Sequence, residues 1–541
     1  MKKWSTKEQL TDLLCDLISI PSISESEAEK RFSDDLTEML GSLVYFQEHP
    51  EHLQQHPTGD GRSVVTALVK SGKVSSDTVI LLSHFDVVET DCYGEWQPYA
   101  FDVKKLTELF RANPAILPER VRLDAGSGEW LFGRGVMDMK CGLALHMSMI
   151  ERACCGEFDG NVLFVTVPDE EVNSTGMRAA VPALLDISER YGLQYSILLN
   201  SEPMYIPQSG ERLRYLEKGS IGKLLPGFLC YGGETHVAFP FEGLNGNYMA
   251  AQMTCEMELD TSFSERIDGL VTPPPTNLIQ NSLITAYSVT IPYRAVTMFN
   301  LMLKEKTADQ VMEPLLAAAN RAARKIEAHY GEKAKGFPGM ETAEVNVRVL
   351  TYEELYMYAC ETFGQEKADG VVADALIALK GADYRQATSV TVDALALLCK
   401  QMAPMIVLFF APPYYPSISS RNHFLIERLS DEIADYAEQR FDIELKANDY
   451  HAGITDLSYV GKPDASGSNG RLVGNMPLWE KGYSIPFKEM ERFVVPVMNM
   501  GPLGMDPHKW TERLDSDYSL RILPELLFEC ICKVFYHNKN E

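Results

Sequence analysis

The chain has 541 residues, more than one hydrophobic core usually supports, so two domains are expected, one inserted in the other. Its 76 acidic residues against 50 basic ones leave a formal charge of -26, which excludes a nucleic-acid-binding surface and favours solubility. Eleven cysteines without a CxxC pair argue for a reducing, cytoplasmic setting, and no apolar run is long enough to span a bilayer, so no membrane partner is expected.

Residues 5 to 41 carry a helical period: Leu10, Leu13, Leu14, Leu17 and Ile18 share one face, Pro21 interrupts, and Ala28, Phe32 and Leu36 open a second helix. Strands follow at about 64–69 and 78–83, and the polar segment 90–130 reads as a loop-rich insertion. A helix is expected over 139–155, with strands near 161–167 and 195–200. Around Lys218 the texture turns glycine-rich. Next come a helix at 246–259, proline-rich TPPPTN at 272–277, a strand at 282–291, a helix at 307–330 and a strand at 344–352. Strand, helix, strand, helix, strand over 216–352 is the pattern of a small α+β unit inserted whole. The remainder returns to alternating elements, including apolar runs at 405–411 and 492–499 and a final helix. The expected order is therefore a catalytic domain begun by 1–215, an inserted lid over 216–352, and the catalytic domain completed by 353–541.

Four apolar runs end in residues that can ligate metal: VILLSHFD at 79–86, LFGRGVMDMK at 131–140, VLFVTVPDEE at 162–171 and SILLNSEP at 196–203. In parallel α/β sheets ligands bind beyond the carboxyl ends of the strands, so His84, Asp86, Asp138, Glu170, Glu171 and Glu202 should converge on one crevice. Imidazoles and carboxylates together point to zinc. One His near one Asp is commonplace, and an acidic triplet is usually a solvated turn; it is the repetition at four strand ends that outweighs both readings. Amide hydrolysis needs a nucleophile, an oxyanion stabiliser and a proton donor; two divalent ions can supply the first two, and a free carboxylate the third. Glu170 suits the proton transfer and Glu171 the metal. A second histidine is then required downstream. His508, in the Gly- and Pro-rich loop MGPLGMDPHKWTER, is preferred over His329, His423 and His451.

As an ordered set, SHFDVV, Trp96 with Pro98, GRGVMDMKCG, PDEEVNSTG, NSEP and GPLGMDPHKWTE resemble the motifs of a family of zinc peptidases and deacylases. That family includes carboxypeptidase G, aminoacylase, acetylornithine deacetylase and succinyl-diaminopimelate desuccinylase. The resemblance implies an α/β catalytic domain, a mixed sheet flanked by helices, carrying an inserted α+β, ferredoxin-like lid. It also implies two zinc ions per subunit, one held by His84, Asp138 and Glu202 and the other by Asp138, Glu171 and His508. Glu170 would be general base and acid, Asp86 would orient His84, and the Asp138–Met139 peptide would be cis. In the lid, GGETHVAFPFEGLN supplies His236 as an oxyanion-stabilising histidine that in dimeric relatives serves the partner's site. Asn277 and Arg294 would contact the substrate carboxylate, although IPYRA departs from the usual pattern. A homodimer through the lid follows from the resemblance alone.

Length and the 90–130 insertion resemble the longer, arginine-utilisation members of the family. The reading is a cytoplasmic metal-dependent amidohydrolase acting on an N-acyl amino acid or short peptide, plausibly in arginine catabolism. Cobalt or manganese could replace zinc. The alternative is a non-catalytic member of the same fold that binds an amino acid or a partner.

Overall fold

The computed structural model describes residues 2–73, 75–205, 213–267, 270–337, 345–379, 381–451, 453–461 and 469–540. The chain divides into two compact units. The first comprises Met1–Ile221, Ile418–Pro463 and Pro486–Glu541, and the second Gly222–Ser417 and Asp464–Ile485.

The first unit is built on a mixed sheet of eight strands. In chain order these are β1 (Leu53–Pro57), β2 (Ser63–Val69), β3 (Asp77–His84), β4 (Asn161–Val167), β5 (Gln194–Asn200), β6 (Leu213–Glu217), β7 (Glu444–Asn448) and β8 (Val497–Asn499). They lie in the order β1-β2-β4-β3-β5-β8-β6-β7. The four central strands β4, β3, β5 and β8 run parallel. β4 is buried along its whole length and β3 at all but its first residue, as β-branched and leucine-rich runs covered on both faces require. Helices flank the sheet. Lys7–Ser19, closed by a Thr6–Gln9 capping box, packs on Lys140–Cys154, and the latter packs on β3 and β4. A second sheet of four short strands orders Trp130–Phe132, Arg513–Asp515, Leu503–Met505 and Met204–Tyr205, so chain from both ends of the sequence meets there.

Segment 90–130 is helical rather than loop-rich. Val103–Ala112 and Glu119–Ser127 are α-helices, the first capped by the Asp102 side chain. Val103, Leu106 and Phe110 are its buried face, a helical spacing that the surrounding charge obscured.

The second unit holds a five-stranded sheet in the order Thr276–Ser282, Arg294–Leu303, Gly222–Tyr231, Met405–Tyr415, Arg348–Thr351. With Gly246–Met257 and Ala308–Lys335 it follows the ferredoxin-like β-α-β-β-α-β sequence, and Met405–Tyr415 is wedged between the first and last of those strands. That wedge corrects the expected boundary at 352. Met405–Tyr415 pairs antiparallel with Gly222–Tyr231 and parallel with Arg348–Thr351, so the unit cannot end before it. Helices Tyr352–Phe363, Gln365–Ala378 and Tyr384–Leu398 belong to the same unit. The strand expected at 282–291 is also displaced: the hairpin strands are Thr276–Ser282 and Arg294–Leu303, with the connection lying where the apolar run suggested extended chain. Of the strand expected at 344–352, residue 344 lies outside the described residues and Arg348–Thr351 forms the strand.

All eleven cysteines are free thiols. Among the described residues no helix is long and apolar enough to cross a membrane.

Helix Lys140–Cys154 sits close to the end of β5 because Gly142 lets it: a Cβ there would lie 2.5 Å from the Ser201 carbonyl oxygen and 2.7 Å from the Met139 methyl. Gly142→Ala should destabilise the first unit by about 1–3 kcal/mol through overpacking, read as an earlier urea transition; an unchanged midpoint would contradict this packing.

Candidate metal centre

The site lies wholly in the first unit, at the carboxyl ends of β3, β4 and β5 and in the loops after β8 and before Lys140–Cys154. His84 is the last residue of β3 and is buried. Its Nδ1 lies 3.0 Å from the Asp86 main-chain oxygen, so the neutral ring donates there and presents Nε2 to the cage. Nε2 is 3.4 Å from Asp138 Oδ1, 3.6 Å from Glu202 Oε1 and 3.9 Å from Glu170 Oε2. It is a buried nitrogen with no hydrogen-bond partner among the described residues.

Asp138 ends the GRGVMD turn, and its peptide bond to Met139 is cis. While Oδ1 faces His84, Oδ2 lies 3.3 Å from His508 Nε2, which is also 3.3 Å from Glu171 Oε2. His508 has a positive φ of 64° and a half-exposed side chain; it is reached across more than 360 residues of sequence. The six residues expected at the strand ends and the distant histidine therefore meet in one place.

The cage is acid-rich. Burial pushes Glu170 and Glu202 well above the usual carboxylate range; His84 opposes the shift, and neighbouring carboxylates including Asp456 reinforce it. Burial would depress both imidazoles, but the acids win: Glu202 and Asp138 hold His84 well above its ordinary value, and Asp138 and Glu171 hold His508 up at about 11. Asp138, although buried, is held low by the two histidines. Buried carboxylates outnumber the imidazoles, and that surplus of negative charge is what divalent cations compensate. His84, Asp138 and Glu171 have donor atoms all within 4.8 Å of one another, and the orphan Nε2 of His84 faces the same space. Nitrogen and oxygen donors of this kind fit zinc, cobalt or manganese.

The Asp86 side chain holds the acidic turn. Its Oδ1 accepts the Glu170 N–H at 3.0 Å, and its Oδ2 accepts the Glu171 N–H at 3.2 Å and the Ser24 hydroxyl at 2.7 Å. The preceding residue, Asp169, has φ 69°; its Oδ1 lies 2.9 Å from Arg62 Nη1, and its Oδ2 accepts the Thr175 N–H at 3.1 Å. Arg62 is buried and also binds Glu29 and Asp60. The acidic triplet is thus three carboxylates with three separate jobs, and its backbone is held from both sides.

Five contributors escaped the sequence reading: Arg62, Ser24, Arg134, Asp456 and Asn499. Arg62 and Ser24 lie in polar loops with no motif around them. Arg134, inside GRG, donates to Glu512 at 2.5 Å and to the carbonyl of His508 at 3.1 Å, while Glu512 accepts the Gly135 N–H at 2.8 Å. Glu512 therefore joins the Asp138 turn to the His508 loop and is not itself in the cage. Asp456 is buried, and burial pushes its carboxyl up to about 7 against the opposing effects of His84 and the Ser174 side chain. No apolar strand precedes it in sequence. Glu202 is fixed by Asn499, which accepts its N–H at 2.8 Å and donates to its carbonyl at 3.0 Å. Of the competing histidines, His451 is buried against Glu217 at 2.8 Å, His329 packs on Tyr248, and His423 precedes a helix.

The remaining expected residues lie in the second unit. His236 is exposed, and its Nδ1 accepts the Ala238 N–H at 3.1 Å, which places the proton of the neutral ring on Nε2. Asn277 spends its amide N–H groups inside its sheet, on Thr297 Oγ1 at 2.7 Å and the Met298 carbonyl at 3.1 Å. Arg294 is paired with Asp393 at 2.5 Å, a partner the sequence did not indicate.

Residues 80–346 match the model of Peptidase family M20/M25/M40. The chain is 44% identical to Uncharacterized protein YqjN of Bacillus subtilis (strain 168), over 97% of this chain and 96% of that one. It is 28% identical to Protein RocB of the same organism, over 96% and 94%. Among solved structures, a tripeptidase from Staphylococcus aureus subsp. aureus mu50 shares the fold with a TM-score of 0.53 at 13% identity, covering 98% of this chain and all of that one. The chain belongs to peptidase family M20/M25/M40 and is a metal-dependent hydrolase of amide bonds.

Proposed function

We propose that the protein hydrolyses an N-acyl amino acid or a short peptide with two zinc ions, one held by His84, Asp138 and Glu202 and the other by Asp138, Glu171 and His508. The observation that carries this reading is Asp138: one carboxylate faces two imidazoles through separate oxygens, 3.4 Å and 3.3 Å away. Cobalt or manganese would satisfy the same donors. Bound there, the metal would supply Lewis acidity that polarises the amide carbonyl and lowers the pKa of a water.

The chain's own groups supply the rest. Glu170 Oε2 lies 3.9 Å from His84 Nε2, and its backbone is fixed by Asp86. It takes the proton from the attacking water and returns it to the leaving nitrogen. His236, with its proton on Nε2, has the donor an oxyanion requires. Asn277 and Arg294 are assigned to the substrate carboxylate on the strength of the sequence resemblance. For Arg294 that role entails leaving Asp393. A dimer through the second unit and a place in arginine breakdown rest on the same resemblance.

Glu170→Gln should lower kcat by about 10²–10⁴-fold on acetylated amino acids or dipeptides while leaving metal content unchanged. Loss of metal along with turnover would make Glu170 a ligand instead. Arg62→Met leaves Glu29 and Asp169 buried without their cation, at a cost of about 3–5 kcal/mol. Its kcat should fall while KM holds, because the base is displaced and the substrate contacts are not; a fall in urea midpoint with kcat intact would remove Arg62 from this role. Arg294→Leu should raise KM with little change in kcat, and an unaltered KM would show that Arg294 serves only its ion pair with Asp393.

A further inference from the structure

Away from the cage, the turn that leads into β1 brings together a second set of ligand-type side chains. Helix Val44–Glu48 ends at His49, and Pro50–His52 forms a single 3-10 turn. Pro50 starts that turn with its φ already fixed, so the sequence His-Pro-Glu-His returns both imidazoles to the same side. Glu51 Oε1 lies 3.5 Å from His49 Nδ1 and 3.7 Å from His52 Nε2. One donor atom from each of the three residues lies within 4.8 Å of the others.

We propose that His49, Glu51 and His52 form a third metal site, for a single transition-metal dication of the zinc class, separate from the catalytic pair. A tetrahedral ion with bonds of about 2.0–2.2 Å sets its donors roughly 3.3–3.6 Å apart; the 3.5 Å edge from Glu51 to His49 has that length, and the 3.7 Å edge to His52 lies just beyond it. Small side-chain rotations would bring the three donors to that spacing. His49 and Glu51 are 46% and 57% exposed, so their side chains can make that adjustment without disturbing the core. The two rings have centroids 5.2 Å apart and planes 19° from parallel, close to the separation of about 5 Å that two imidazoles on one tetrahedral ion adopt.

The surroundings orient the ligands as metal sites do. His52 Nδ1 is 3.0 Å from the Tyr45 hydroxyl, which itself accepts the Lys70 N–H at 2.8 Å, leaving Nε2 to the ion. Tyr191 packs edge-on against His52 and donates its hydroxyl to the Glu51 carbonyl at 3.1 Å. Both imidazoles also line a cavity of about 410 Å³ bounded by Tyr45, Lys70 and Cys154. Three protein donors beside an open space describe a site with a free coordination position, able to exchange its fourth ligand.

The inference does not depend on the catalytic reading, and its test is a difference in metal count. The full-length protein is stripped with chelator, titrated with Zn²⁺ by calorimetry, and its metal content measured after gel filtration. The same is done for His49→Asn, Glu51→Gln and His508→Ala. His49→Asn and Glu51→Gln alter exposed side chains, so folding should survive, which circular dichroism checks. The wild type and His508→Ala should each release the signal of the additional ion, and His49→Asn and Glu51→Gln should each lose one equivalent. Equal counts in the wild type and both exposed-site variants overturn the proposal, as does an extra ion bound only with Kd above about 100 µM. Comparing the proteins with one another keeps the result decisive even if the cage takes one ion or none.

Discussion

Sharing of the Asp138 carboxylate between His84 and His508 is the interaction on which the site depends. A buried acid that faces one histidine is an ion pair; one that faces two, with Glu170, Glu171 and Glu202 around it, leaves more negative charge than the protein's own cations neutralise. Burying that excess is unfavourable unless positive charge arrives from outside. The cage is therefore stable as a binding site and costly as bare protein, the condition under which metal binding contributes to folding as well as to chemistry.

The sheet makes this arrangement available. Parallel strands β4, β3 and β5 bring their carboxyl ends side by side, so residues more than a hundred positions apart become neighbours. The supports then come from the least regular parts of the chain. Arg62 sits in the turn between β1 and β2, Ser24 before the second helix, Arg134 in the GRG turn and Asn499 at the end of β8. Each fixes backbone rather than reaching for the ion: Asp86 and Asp169 hold the Glu170–Glu171 turn, Arg134 and Glu512 hold the His508 loop, and Asn499 holds Glu202. Such outer partners decide whether ligands are presented with the right geometry.

The sequence made the cage legible because its residues close apolar strands, and a strand that ends in His, Asp or Glu announces both its burial and its chemistry. His508 was readable only through the demand for a second nitrogen donor after an apolar run. What stayed hidden had no such marker. Arg62, Ser24 and Asp456 lie in loops, where a polar residue signals solvent until the fold buries it. Asp169 had no assignment of its own in the sequence, yet a left-handed backbone turns its side chain toward Arg62. In the second unit, a small α+β unit was visible from helix and strand spacing, yet Met405–Tyr415 belongs to its sheet across a long stretch of helix. Pairing between elements distant in sequence leaves no local trace, which is why the boundary at 352 was misplaced. The helix at Val103–Ala112 failed for the opposite reason: its buried spacing was present but outnumbered by charges on the exposed face.

The proposed pair of ions would meet at one shared carboxylate, and electron paramagnetic resonance of the manganese-loaded protein tests that directly. Titrating the chelator-stripped His49→Asn variant removes the surface turn from the count. The second equivalent of Mn²⁺ should quench the signal of the first and replace it with the spectrum of a spin-coupled pair, and Asp138→Asn should abolish the coupling. Two equivalents that bind as isolated, uncoupled ions, or saturation of the cage by a single ion, would contradict it.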